Sequence, residues 1–169
     1  MYIHNLTARN GYSGIRLLSG ENYPLRAVRI DGLYGTYRHH AVVISNHNRR
    51  PGKVWFDDLV IENVYACKSD TPLGPECHRR WEKGADANPF FYFGPEAICG
   101  NVTMRNIHRH QAFSTQSPLF GFDPDCTIER LLLDNVTQTT AEGVTAPLWE
   151  NKGTIRTLIE RDSFVRDTE

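Results

Sequence analysis

Five short phrases recur along this chain at coil-length spacing. They are Ile3-His4-Asn5-Leu6, Ile30-Asp31-Gly32-Leu33, Ile61-Glu62-Asn63-Val64, Met104-Arg105-Asn106-Ile107 and Leu133-Asp134-Asn135-Val136. Each reads apolar, polar, Asn (once Gly), apolar, and the steps between them are 27, 31, 43 and 29 residues. Self-similarity at such a period, built on strand-type residues, predicts a solenoid of stacked coils. Two apolar residues flanking a polar one mark a strand with one buried face. An Asn or Gly at a fixed place beside it marks a tight bend, because these residues tolerate the left-handed backbone the bend requires. When coils stack, the Asn amides lie one above another and each can donate to the next, which satisfies polar groups in the buried column expected there. A parallel β-helix meets all of these conditions. A β-sandwich with recurrent turns is the competing fold, but its turns need not recur in one sequence context at this spacing.

A second strand column lies between the phrases. It comprises Gly14-Ile15-Arg16-Leu17-Leu18, Ala41-Val42-Val43-Ile44-Ser45, Phe90-Phe91-Tyr92-Phe93-Gly94, Leu119-Phe120-Gly121-Phe122-Asp123 and Leu148-Trp149-Glu150-Asn151. Three of these follow a proline (Pro89, Pro118, Pro147), which suits the start of a strand. Aligned, the inward positions are Ile15, Val42, Phe91, Phe120 and Trp149, then Leu17, Ile44, Phe93 and Phe122. The outward positions are Arg16, Val43, Tyr92, Gly121 and Glu150, then Leu18, Ser45, Gly94 and Asp123. The chain therefore holds about five coils, with a sixth begun at Ile155-Arg156-Thr157-Leu158-Ile159.

The 169 residues amount to a single domain, 1–169. A formal net charge of −1 supplies no field to draw the chain to nucleic acid or an anionic membrane. No apolar run is long enough to span a bilayer. The first coil begins at once after Met1, with no signal-peptide pattern and no capping helix. Its edge is therefore expected to be covered by further coils of a longer solenoid or by another subunit, a homo-oligomer being one such cover. One long insertion, residues 69–88, is rich in Pro, Gly and charge, with Trp81 between Arg80 and Glu82. It is read as a wall beside the working face, with Trp81 as a ligand contact.

Cys67 and Cys77 bracket part of that insertion, and Cys99 and Cys126 fall at similar places on successive coils. Disulfides and buried thiols both fit these positions. Cys67, Cys77 and His78 do not match a zinc-ligand spacing, and we expect neither a metal nor another cofactor.

The segment Gly14-Ile15-Arg16-Leu17-Leu18, followed by Leu25 to Tyr34 and Ala41-Val42-Val43-Ile44-Ser45-Asn46, resembles the C-terminal region of polygalacturonase-type enzymes, the family 28 glycoside hydrolases. The resemblance spans roughly Met1 to Asn48, and beyond it the chain resembles pectin-lyase-like proteins in general. It implies an all-β, right-handed parallel β-helix of about five to six coils, an extracellular or periplasmic setting and a polyuronate or related glycan as partner. It also implies that Arg16 matches the family's substrate-binding Arg. The Lys that comes two residues later in the family is Leu18 here. The family's Asn-Thr-Asp, Asp-Asp and Gly-His-Gly motifs do not precede Ile15.

Hydrolysis by inversion needs a carboxylic acid and a carboxylate on either side of the scissile bond. Asp123 and Glu150 fall on the outward face of the second column one coil apart, where coils are about 4.8 Å apart, and are the candidate catalytic pair. Asp57-Asp58 reads more readily as a turn. His39 and His40 precede the strand of Val43 and are candidate sugar donors or bases. Arg49-Arg50 forms a basic loop suited to a uronate carboxylate. The face of Arg16, His39, His40, Tyr92, Asp123 and Glu150 is thus the expected glycan site. The alternatives are a non-catalytic glycan- or partner-binding module and a calcium-dependent lyase, which would need a carboxylate cluster at Asp57-Asp58 or Asp123 and Asp125. The sequons at Asn5, Asn101 and Asn135 are by-products of the repeat where they coincide with the bend.

Overall fold

The computed structural model describes residues 1–20, 23–46, 53–71, 88–111, 117–140 and 149–165. Long and short strands alternate along the chain. They are β1 (Tyr2–Gly11), β2 (Ile15–Ser19), β3 (Leu25–Tyr37), β4 (Val42–Asn46), β5 (Val54–Lys68), β6 (Phe91–Phe93), β7 (Ala97–Gln111), β8 (Phe120–Phe122), β9 (Thr127–Thr140), β10 (Trp149–Asn151), β11 (Thr154–Arg161) and β12 (Phe164–Val165). No helix occurs among the described residues. The long strands stack in the order β1-β3-β5-β7-β9-β11, with β12 also on β9, and the short ones in the order β2-β4-β6-β8-β10. Every named strand pair is parallel. The fold is an all-β parallel solenoid of about four turns, slightly fewer than the coils counted in the sequence.

The five phrases stack in register. Ile3, Ile30, Ile61, Met104 and Leu133 form one inward column, and Leu6, Leu33, Val64, Ile107 and Val136 form the next. Between them the backbone turns through left-handed conformations at Asn5, Gly32, Asn63, Asn106 and Asn135 (φ 53°, 84°, 57°, 52° and 55°). Asp162 (φ 46°) continues the column, an occurrence the repeat does not reveal. The amides form the expected ladder: Asn135 Nδ2 donates to Asn106 Oδ1 and Asn106 Nδ2 to Asn63 Oδ1, both at 3.0 Å. Where Gly32 offers no side chain, Asn63 Nδ2 turns to Asp31 Oδ1 at 2.8 Å. The column is not fully enclosed: Gly32 is buried, Asn63, Asn106 and Asn135 are half-buried, and Asn5 and Asp162 are exposed.

The short sheet matches the sequence alignment residue for residue. Ile15, Val42, Phe91, Phe120 and Trp149 share a column, as do Leu17, Ile44, Phe93 and Phe122. Phe91 stacks on Phe120 with centroids 5.5 Å apart, and Phe93 on Phe122 at 5.0 Å. Each buried aromatic contributes roughly 1.5–3 kcal/mol of transfer free energy, and the stacked pairs add to that.

The long strands carry a second kink. Ala27 (φ 49°) and Asp58 (φ 50°) are level on neighbouring strands, since Arg26 pairs with Asp57 and Val28 with Leu59. Asp57-Asp58, read as a turn ahead of a strand, thus lies inside β5 and turns it at a corner of the solenoid.

Candidate functional site

The outward residues of the short sheet do fall in one column, Arg16, Val43, Tyr92, Gly121 and Glu150. They do not form an open groove. Arg16 and Glu150 at the two ends are exposed and Tyr92 is half-buried, but Val43 is 6 % exposed and Gly121 is buried. Pro89 lies over Gly121 so closely that a Cβ there would sit 2.1 Å from the proline Cγ. His40 covers the neighbouring position, its ring stacked on Tyr92 at 5.2 Å and its Nδ1 bonded to the Pro89 carbonyl. His39 packs edge-on against His40 and stacks on Tyr12. Burial, then the nearby cations Lys68 and Arg16, lower the His39 pKa to about 4. Burial, then His39, holds His40 well below the ordinary histidine range. Both rings are therefore neutral at pH 7. They supply no cation to a uronate, and a general base near neutrality wants a pKa near the working pH.

Asp123 leaves the end of β8 and is held on both oxygens. Oδ2 accepts from the Tyr92 hydroxyl at 3.0 Å and Oδ1 from the Asp125 amide at 3.3 Å. Glu150 pairs with Lys152 on its own strand side, and that hydrogen bond raises the lysine pKa. In register Glu150 faces Gly121, two residues short of Asp123, so the two carboxylates stand diagonally and not side by side. Trp81, Cys77, His78, Arg49 and Arg50 lie outside the described residues.

A different place is open. At the corner made by the Asp58 kink, a groove of about 380 Å³ is lined by Pro24, Arg26, Trp55, Phe56, Asp57, Ile98, Gly100 and Glu129. Alternation builds it: Val54 and Phe56 point into the core, so Trp55 between them points out, and it is 51 % exposed. Ile98 is level with Trp55 on the next strand and extends the apolar floor. Arg26 and Asp57 are level on adjacent strands, both exposed, with no ion pair or hydrogen bond between them among the described residues. Glu129 is bound to Arg156 at 3.1 Å. Gly100 leaves room for the Asp57 carboxylate, because a Cβ there would lie 2.4 Å from Asp57 Oδ1. An apolar indole face thus stands beside a guanidinium and a carboxylate whose hydrogen-bonding capacity is open to solvent. Sequence reasoning singles out Asp57 but not Trp55. The signal is present in Val54-Trp55-Phe56, an alternating run that puts a tryptophan on the wet side.

Other clusters are structural. Lys68 and Arg109, 3 % and 1 % exposed, are buried cations near the C-terminal ends of β5 and β7. Lys68 Nζ donates to the His39 carbonyl, and Arg109 donates to Gln111, Ser117 and Gln138 while lying over the Phe90 ring. Burial lowers Arg109 to about 10. Cys67, Cys99 and Cys126 are free thiols, and burial pushes Cys126 up to about 12. Among the described residues no three His, Cys, Asp or Glu side chains gather as a metal site. The chain matches no family model, no curated protein and no solved structure.

Proposed function

We propose that this chain is a glycan-binding β-solenoid module and that its sugar site is the corner groove at Trp55. The observation that carries this reading is the exposed Trp55 face next to Arg26 and Asp57, neither engaged with the other. Sugar rings present an apolar face of C–H groups and a rim of hydroxyls. An indole supplies the stacking surface, and a cation and a carboxylate supply donors and acceptors for the rim. Rigid strands hold all of these groups, so little order has to be imposed on binding.

Polyuronate hydrolysis, the activity implied by resemblance, would run through Asp123 and Glu150 on the other face. Tyr92 and Lys152 already engage those carboxylates, so binding without cleavage is the reading favoured here. The test is calorimetric titration of plant and microbial oligosaccharides into the chain and into Trp55→Ala, with reducing ends measured in parallel. We expect binding that Trp55→Ala weakens at least tenfold, and no turnover. Sugar binding that ignores Trp55→Ala would move the site elsewhere. Turnover lost in Asp123→Asn and Glu150→Gln would restore the hydrolase.

A further inference from the structure

The groove also has a charge pattern that bears on which sugar it takes. We infer that it selects a neutral pyranose unit presenting two adjacent hydroxyls, and that it discriminates against uronates; this rests on reading the groove as a sugar site. Three charged side chains line it: Arg26, Asp57 and Glu129. Arg156 neutralises Glu129 through their ion pair. What remains for a ligand is one guanidinium and one carboxylate, level on adjacent parallel strands that lie about 4.8 Å apart.

That pair suits a vicinal diol. The guanidinium only donates and the carboxylate only accepts. A hydroxyl does both, so one hydroxyl can accept from Arg26 while its neighbour donates to Asp57. Both bonds are charge-assisted and so among the stronger kinds. Trp55 and Ile98 lie level on the outer face and provide the floor on which the ring rests. The Asp57 carboxylate leans over Gly100, where a Cβ would lie 2.4 Å from Oδ1, so the glycine keeps that space open to it.

A uronate fits worse. Its carboxylate could bind Arg26, but Asp57 repels the charge that Arg26 attracts, so the charge brings little net gain. A carboxylate also has no proton to give Asp57, so a uronate makes one of the two charge-assisted bonds where a neutral diol makes both. The sequence-based expectation of a polyuronate therefore does not transfer to this groove.

The experiment uses the full chain and calorimetric titration with matched pairs of oligosaccharides. Each pair comprises a neutral hexose tetramer with free vicinal hydroxyls and the uronic-acid tetramer of the same linkage. The variants are Trp55→Ala, Arg26→Met and Asp57→Asn, all at exposed positions where folding is retained and is checked by thermal melting. We expect the neutral ligand to bind the wild type at least fivefold tighter, with little dependence on salt. We expect Asp57→Asn to weaken the neutral ligand and strengthen the uronate, so that the preference shrinks or inverts. Equal or tighter uronate binding, falling as salt rises, would overturn the inference and leave the sugar site standing. The same holds if Asp57→Asn weakens both ligands alike. Failure of every sugar to bind, or binding untouched by Trp55→Ala, would instead overturn the site itself.

Discussion

Asn106 occupies the middle of the amide ladder, donating to Asn63 and accepting from Asn135, at a backbone φ of 52°. Two effects are joined at this one residue. Each hydrogen bond is worth about 1 kcal/mol net, and a non-glycine residue without a polar side chain costs roughly 1–2 kcal/mol in the left-handed region. Asn106→Ala should therefore destabilise by about 2–4 kcal/mol in urea unfolding. Asn106→Gly, which removes the bonds but not the backbone permission, should cost about 1–2 kcal/mol. If the two variants unfold together, strain is not part of the penalty. The histidines give a second prediction at this scale. His39 takes up its proton near pH 4 in the folded chain, against about 6.5 in the unfolded one. The unfolded state then binds more protons in between, so stability is intact above pH 6.5 and is lost as pH falls toward 4. The slope is at most about 1.4 kcal/mol per pH unit for each such histidine, and His40 acts in the same direction. Urea midpoints at about pH 7.5, 5.5 and 4.5 should fall in that order, and His39→Gln with His40→Gln should flatten the trend. A flat wild-type profile would mean that both rings titrate normally.

At the scale of the strand, legibility divides sharply. Register is readable because the period of side chains is fixed: once Phe91 and Phe120 are aligned, Tyr92 and Gly121 have to share the opposite face. What lies above that face is not readable. Gly121 looks like an open outward position in the sequence, yet Pro89 lies over it and His40 lies over its neighbour Tyr92, an approach that depends on three-dimensional packing at distant residues. The Asp58 kink is hidden for a related reason. Asp at a bend and Asp ahead of a strand leave the same trace, and only the pairing of Arg26 with Asp57 shows that the strand continues through it. Trp55 is legible in its own alternation but precedes the repeated phrase Ile61-Glu62-Asn63-Val64 on its strand and lies outside the aligned short strands. The covered face makes a sharp prediction. Gly121→Ala would be nearly neutral on an open groove wall. Under Pro89 it forces the ring or the strand to shift, and overpacking of this kind costs about 1–3 kcal/mol. Thermal melting of Gly121→Ala decides between the two surfaces.

At the scale of the whole solenoid, the first and last described rungs differ in chemistry. The last described rung puts Glu160 level with Leu133, and the hydroxyl of Ser163 lies 3.4 Å from the Val136 amide. The column that is apolar in every earlier rung is thus polar here, beside a Leu158 that is 39 % exposed. The first rung keeps the apolar pattern, with Ile3, Leu6 and Ala8 only half-buried. Stacked repeats stay soluble when a terminal repeat presents a polar outer side. Symmetry then restricts how a segment with one apolar and one polar outer rung can assemble. In residues 1–169 taken by themselves, the apolar first rung can pair with another first rung and close as a dimer, whereas it has no apolar partner on the last described rung. Two apolar ends would instead join head to tail, a heterologous contact that does not close. Glu160→Leu creates the second apolar end. We predict that sedimentation velocity finds the unaltered chain no larger than a dimer at all concentrations. Glu160→Leu should give species whose size grows with concentration, and Glu160→Lys should behave as the unaltered chain does. A Glu160→Leu variant of wild-type mass would show that the charge at the last rung is not what limits assembly. The restraint would then have to come from the strand edges themselves, whose unpaired backbone groups are the other route to end-on growth.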